Sequence, residues 1–347
     1  MRFSNFGLFS AIGLAVGDDT YHFSGNPYQD SSNLANNAGH IHVMTTKYDK
    51  RLPNYSLPEG IPNPPMVGQY IYPEKSGKYP FFLWLGGFYS EMPGVGYTDM
   101  LSRFAQKGFV IGLNAHGPNF KKRQNYTLWE EQLSWHFDYA QDLMNYEMEV
   151  NAAADPDNNS PLDIEIDFSN IVVGCHSSGC DIQKYFANEK DELFKGYWFL
   201  DPVIMPIGDA ADLLYQTVVT TSPVAIESSE LCQGCCLNHV SNEPLIEAIT
   251  SETLKIYQEE MHAGHCSPLD HAFALMCGVA MCNAEKKYNT ERYLDKIHGC
   301  DVGHVTAFFT DSIFDDASMR GYYQDVGKYC RDYFIDEAQV CEGPYCL

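Results

Sequence analysis

Short apolar runs that alternate with longer helical patterns predict an α/β fold, a mostly parallel central sheet with helices on both faces. Two further observations point the same way. A β-branched run, Ile171-Val-Val-Gly-Cys175, leads through a small-residue turn straight into a helical segment. The chain, at 347 residues with 45% hydrophobic and 14% aromatic content, is also long enough to bury a core on both sides of such a sheet.

Taken in order, the first stretch, 1–17, has one early cation (Arg2), an apolar run from Phe6 to Val16 and small residues before Asp18. It reads as a secretory signal peptide, too short for a membrane span. Residues 18–68 are polar and rich in Asn, Pro and Gly, an N-terminal arm with one strand expected near His40–Thr46. The catalytic domain is expected over 69–347, with a cysteine-rich C-terminal part.

Pro80 to Leu85 reads as a buried strand ending at Gly86-Gly87, and Tyr97 to Lys107 as a helix with Met100, Leu101 and Phe104 on one face. Phe109 to Leu113 is the next strand and Leu128 to Val150 a long amphipathic helix. The Ile171–Cys175 strand and a helix from Cys180 to Glu189 follow. Tyr197–Leu200 and Pro223–Ile226 read as strands ending at carboxylates, Asp201 and Glu227. A last strand lies between Leu254 and Met261, before helices at His271–Cys282 and Val302–Phe314.

The charge balance, 22 Lys+Arg against 46 Asp+Glu, gives −24 and excludes nucleic acid and anionic membrane surfaces as partners. No later segment is apolar for long enough to insert stably in a membrane. All twelve cysteines fall between Cys175 and Cys346. Their even number and the leader predict disulfides and a secretory, extracellular or lumenal location. Cys175 and Cys180 also suit small buried positions that need no bridge. Cys232, Cys235 and Cys236 resemble the start of a zinc knuckle, but no matching second half follows, and no metal is expected. Sequons at Asn54 and Asn125 fit a glycosylated protein.

The chemistry centres on Ser177. A serine hydroxyl is a poor nucleophile until a base takes its proton, and a tight strand-to-helix turn holds it where a base can reach. Such turns carry glycine two residues before and after the serine. Here Gly179 keeps the second position, and Cys175 stands at the first. Acyl transfer also needs two N–H donors for the developing oxyanion: that of Ser178, after the nucleophile, and one from the loop after an earlier strand. Gly86-Gly87-Phe88 occupies that place, with Gly87 supporting the turn and Phe88 offering its N–H. The acid must follow the serine and precede the histidine, and Asp201 and Glu227 both qualify. Pro202 would fix the loop that presents Asp201. His262, His265, His271, His298 and His304 are candidate bases. His265, in a loop after Gly264, is favoured because His271 and His304 fall in helical patterns.

These same stretches resemble the chlorophyllase family of α/β-hydrolases. The resemblance runs from about Val43 to Phe314, through Gly86-Gly87-Phe88, the Cys175-His176-Ser177-Ser178-Gly179 turn, Asp201-Pro202-Val203 and Gly264-His265. It implies the α/β-hydrolase fold, a triad of Ser177, Asp201 and His265, no cofactor, and hydrolysis of chlorophyll to chlorophyllide and phytol, with a plastid as an alternative destination. Cys175, Ser178 and Cys180 depart from the family's GHSRGG turn. The departures leave room for another small-molecule or lipid-like ester: a secreted lipid, an acetyl-phospholipid or a polyester. A catalytically inactive binding protein on the same scaffold is the reading from a different class.

Overall fold

Hydrophobic side chains on alternate residues of the central strands pack to opposite sides, and this builds the layers. The computed structural model describes residues 38–43, 57–90, 96–115, 126–154, 162–203, 218–229, 245, 248–250, 253–260, 263–280 and 291–313. The expected leader, the sequon asparagines Asn54 and Asn125, and Cys232, Cys235 and Cys236 lie outside them, as does His262.

The strands are β1 (Ala38–Val43), β2 (Val67–Pro73), β3 (Gly77–Leu85), β4 (Val110–Ala115), β5 (Ile164–Ser177), β6 (Gly196–Pro202), β7 (Val224–Ser229) and β8 (Lys255–Glu260). They form one eight-stranded sheet in the order β1-β2-β4-β3-β5-β6-β7-β8. β2 runs antiparallel to β1 and β4, and all other neighbours are parallel. The expected strand of the N-terminal arm is thus an edge strand of the sheet, paired with β2, which the sequence pattern does not reveal.

The helices are α1 (Gly87–Ser90), α2 (Thr98–Gln106), α3 (Tyr126–Ala154), α4 (Cys180–Glu189), α5 (His271–Ala280) and α6 (Glu291–Ser312). One core holds Phe81, Leu83, Leu85, Val173 and Cys175 with α3 and α4 residues such as Leu143, Met144, Ile182 and Phe186. The other holds Phe82, Trp84, Val172, Trp198 and Leu200 with Met100, Leu101 and Phe104 of α2 and Val305, Phe308 and Phe309 of α6. Helices therefore cover both faces, and the central parallel strands are buried on both, as their unbroken apolar runs require. The sheet carries an aromatic cluster at its centre: Phe82 stacks on Phe104 at 4.7 Å, and Trp198 lies 5.2 Å from Phe104 and 5.4 Å from Trp84.

The parallel order places the C-terminal ends of β3, β5 and β6 side by side, the edge of an open α/β sheet where ligands bind. Gly86, Ser177 and Asp201 all sit there. No described helix is long and apolar enough to cross a membrane.

Candidate active site

Ser177 is the last residue of β5 and has a φ of 57°, in the left-handed region that a side chain with a Cβ enters only under tertiary constraint. The pairing of β5 with β6 shifts register between His176 and Ser177, so Ser177 lies opposite Pro202. α4 begins three residues later. Gly179 makes the turn possible: a Cβ there would collide with the carbonyl oxygens of Leu85 and Gly86.

Cys175 and Cys180, both fully buried, are joined by a disulfide that closes this turn from strand to helix. The departure from glycine at position 175 is therefore half of a cystine. The two cysteines are buried as the unbridged reading expected, but they are bonded to each other. Cys266 and Cys277 form a second buried bridge, tying the residue after His265 to α5. Disulfides form and persist in oxidising compartments, which suits a secretory-type environment.

The structure brings Ser177, His265 and Asp201 together. His265 Nε2 lies 2.8 Å from Ser177 Oγ, and its Nδ1 lies 2.5 Å from Asp201 Oδ2. With Nδ1–H donating to the carboxylate, Nε2 is left to accept the serine proton. Asp201, fully buried, has a φ of 41° at the end of β6 and accepts the Ser229 N–H on its other oxygen at 3.0 Å. Two adjacent parallel strands thus end in left-handed residues whose side chains meet at one imidazole.

The other candidates go elsewhere. Glu227 accepts the Trp198 indole N–H at 2.8 Å and faces His304 Nδ1 at 3.0 Å, within the core. Burial, with Asp301 nearby, raises its pKa well above the usual carboxylate range. His298 is bonded to Asp99 at 2.7 Å, and His271 is exposed at the start of α5.

The loop carrying His265 is held from several sides. Gly264 N–H donates to Ser267 Oγ, and His298 Nε2–H to the Ser267 carbonyl at 2.8 Å. Asp270 accepts the N–H groups of Thr98 and Asp99 at the start of α2. His298 in turn is held by Asp99, which Arg103 also approaches, while Arg103 pairs with Asp295 of α6.

Gly87, just past the end of β3, also approaches Ser177: a Cβ added to it would stand 3.4 Å from Ser177 Cβ and 3.1 Å from Tyr97 Oη. Phe88 comes next with a φ of 54° and a partly exposed ring. Ser178 is buried. The Gly87 N–H donates to Tyr97 Oη at 2.7 Å, which leaves the Phe88 N–H as this turn's candidate donor toward an oxyanion. Tyr97 also touches His176 Nδ1 at 2.8 Å. The sequence pattern puts Tyr97 at the start of a helix and gives His176 no role, and nothing in their local pattern marks them out.

His176, Asp201 and His265 bring metal-ligating atoms within 4.8 Å of one another. Both nitrogens of each ring are already hydrogen-bonded, and so are both Asp201 oxygens, so a metal ion would have to displace those bonds. The donor set fits a proton path better than a coordination shell.

No protein-family model matches this chain, and neither does any curated protein.

Proposed function

We propose that this chain is a serine carboxylic ester hydrolase of the α/β-hydrolase type. The observation that carries the reading is the hydrogen-bonded sequence Ser177 Oγ, His265 Nε2, His265 Nδ1, Asp201 Oδ2, with the serine on a left-handed turn between strand and helix. The chain order of serine, aspartate and histidine and the mostly parallel sheet fit the same type.

In this mechanism His265 Nε2 takes the Ser177 proton as Oγ bonds to the ester carbonyl carbon. The carbonyl π pair moves onto oxygen, where the Phe88 and Ser178 N–H groups receive it. Asp201 holds the imidazolium by its Nδ1–H. The tetrahedral intermediate collapses, the ester C–O bond breaks, and His265 gives its proton to the departing alkoxide. Water, deprotonated by His265, then attacks the acyl carbon; the C–Oγ bond breaks, His265 returns the proton to Ser177 Oγ, and the carboxylic acid leaves. The resemblance to chlorophyllases extends the proposal to a phytyl ester of the chlorophyll type, and lipid-like esters are the alternative.

The test uses oxidised, full-length protein with a fluorophosphonate probe, short-chain nitrophenyl esters and chlorophyll. Wild type should label and turn over ester, and Ser177→Ala should do neither. Brisk short-acyl turnover with inert chlorophyll would move the substrate to the lipid-like class. A wild type that does not label would leave the scaffold as a binding protein.

A further inference from the structure

We infer that Tyr97 and His176 form a positioning relay that joins the oxyanion turn at Gly87 to the backbone of His265, so that one chain of hydrogen bonds sets both arms around Ser177. The inference rests on the ester hydrolase reading above and deepens it.

The relay has only one possible polarity. The carbonyl oxygen of His265 accepts and never donates, so His176 Nε2, 2.9 Å away, carries the proton. In the neutral ring Nδ1 then holds a lone pair, and the Tyr97 hydroxyl donates to it at 2.8 Å. The Tyr97 oxygen keeps lone pairs free to accept, and the Gly87 N–H fills one at 2.7 Å. Every donor in the chain therefore meets an acceptor, with no orientation left to choice.

The charge states agree with this assignment. Burial, then the nearness of His265, pushes the His176 pKa down to about 3, and burial raises that of the Tyr97 hydroxyl. The His176 and His265 rings are 4.7 Å apart and tilted by 34°. A neutral His176 can stand beside the imidazolium that His265 becomes, whereas a charged one would oppose it.

The four residues come from four places: the turn after β3, the residue before α2, the end of β5 and the loop after β8. The relay joins the oxyanion turn to the His265 backbone by a route separate from the Ser177–His265–Asp201 bonds. His265 is then fixed by its ring through Asp201, by its carbonyl through His176, and by its neighbour Cys266 through the bridge to Cys277. Tyr97 is also spatially snug: its ring lies edge-on to His176 at 5.7 Å and to Trp84 at 5.3 Å, so the hydroxyl is aimed by packing.

The experiment compares Tyr97→Phe, His176→Phe, the double variant and His176→Gln with wild type. Each is read by fluorophosphonate labelling rate, by kcat and KM on a nitrophenyl ester, and by thermal midpoint. Loss of the relay should lower kcat by about ten- to a hundredfold with KM unchanged, as small misplacements of catalytic groups do. The double variant should be no slower than His176→Phe, because both single changes break one chain. His176→Gln, which keeps a donor for the His265 carbonyl, should recover part of the loss. Wild-type kcat in Tyr97→Phe and His176→Phe, or additive losses that merely follow the thermal midpoint, would overturn the relay. If the His176 variants do not fold, Tyr97→Phe decides alone, since it removes a single hydroxyl. A wild type that fails to label overturns the ester hydrolase reading itself; a wild type that labels alongside unimpaired variants overturns only the relay.

Discussion

Cys175 and Cys180 are bonded to each other across the turn that carries Ser177, so the residue that breaks the usual glycine pattern is also the one that fastens the turn. Strand β5 and helix α4 are locked at the point where the backbone takes its left-handed step. A bridge over so short a loop removes denatured-state entropy worth about 2 kcal/mol. The double variant Cys175→Ala/Cys180→Ala should therefore lose about that much unfolding free energy in guanidinium titrations. It should also slow fluorophosphonate labelling, because the serine is held less firmly. Undiminished stability and labelling would show that the bridge constrains nothing.

The identity of the acid gives a second prediction. Asp201→Asn removes the acceptor that keeps the proton on His265 Nδ1, and kcat should fall by about ten-thousandfold with the fold intact. Glu227→Gln should leave kcat at the wild-type value, since the Glu227 carboxylate is bonded to Trp198 and to His304 within the core. The two variants, assayed side by side on a nitrophenyl ester, separate the candidates, and a Glu227→Gln variant as impaired as Asp201→Asn would reverse the assignment.

Why sequence left that choice open is a matter of register. Asp201 and Glu227 both end parallel strands, and only the pairing of β6 directly beside β5, with the slip at Ser177, brings the first of them to the histidine. Strands and helices with a pure period were legible: helix Cys180–Glu189 has the bounds its pattern indicates, and Met100, Leu101 and Phe104 are all buried. β2 was missed because Gly, Gln, Pro and tyrosines dilute its apolar signal. The first half of β5 was missed because Ile164 to Asn170 mixes buried and exposed positions. α6 begins eleven residues before its expected start, at Glu291 where the pattern gave Val302, because it buries His298, Cys300 and Asp301, polar or small residues that hide a helical stripe. The relay through Tyr97 spans 79 residues from His176 and has no local signature at all.

Stability should depend on pH through two buried neutral histidines. His176 and His136 each have a pKa of about 3, against an ordinary 6.5, chiefly because burial penalises their charged form. His136 donates from Nε2 to Asn114 Oδ1 at 3.0 Å and accepts from the Tyr70 hydroxyl, so it has no place for a second proton. The unfolded chain takes up protons below pH 6.5 that the folded chain refuses down to about 3. Their contribution is therefore fully present above pH 6.5 and is lost on acidification through that window. Asp270, raised to about 7 by burial, and Glu227, raised likewise, act in the opposite sense over part of the same range. The cleaner measurement is a difference. A His136→Gln variant should show a stability slope between pH 4 and 6.5 that is shallower than wild type by up to about 1.4 kcal/mol per pH unit. Equal slopes would place a proton on His136 in the folded state.

His298 gives the last prediction, because it serves stability and the histidine loop through different nitrogens. Burial disfavours its charge, but the bond to Asp99 and the field of that carboxylate outweigh the penalty and keep its pKa above the ordinary value. Charged, it donates from Nδ1 to Asp99 on α2 and from Nε2 to the Ser267 carbonyl, two residues beyond His265. His298→Ala breaks both bonds and should lose about 2 kcal/mol of stability, the worth of a charge-assisted bond. It should also speed hydrogen exchange over residues 264–267 and lower kcat. His298→Gln keeps an amide donor where Nε2–H stood and gives up the charge. It should lose stability as well, yet hold the loop amides and kcat near wild type. If the two variants have equal kcat and equal loop exchange, the Nε2 bond to Ser267 does not position the loop, and His298 acts through the packing of α6 on α2.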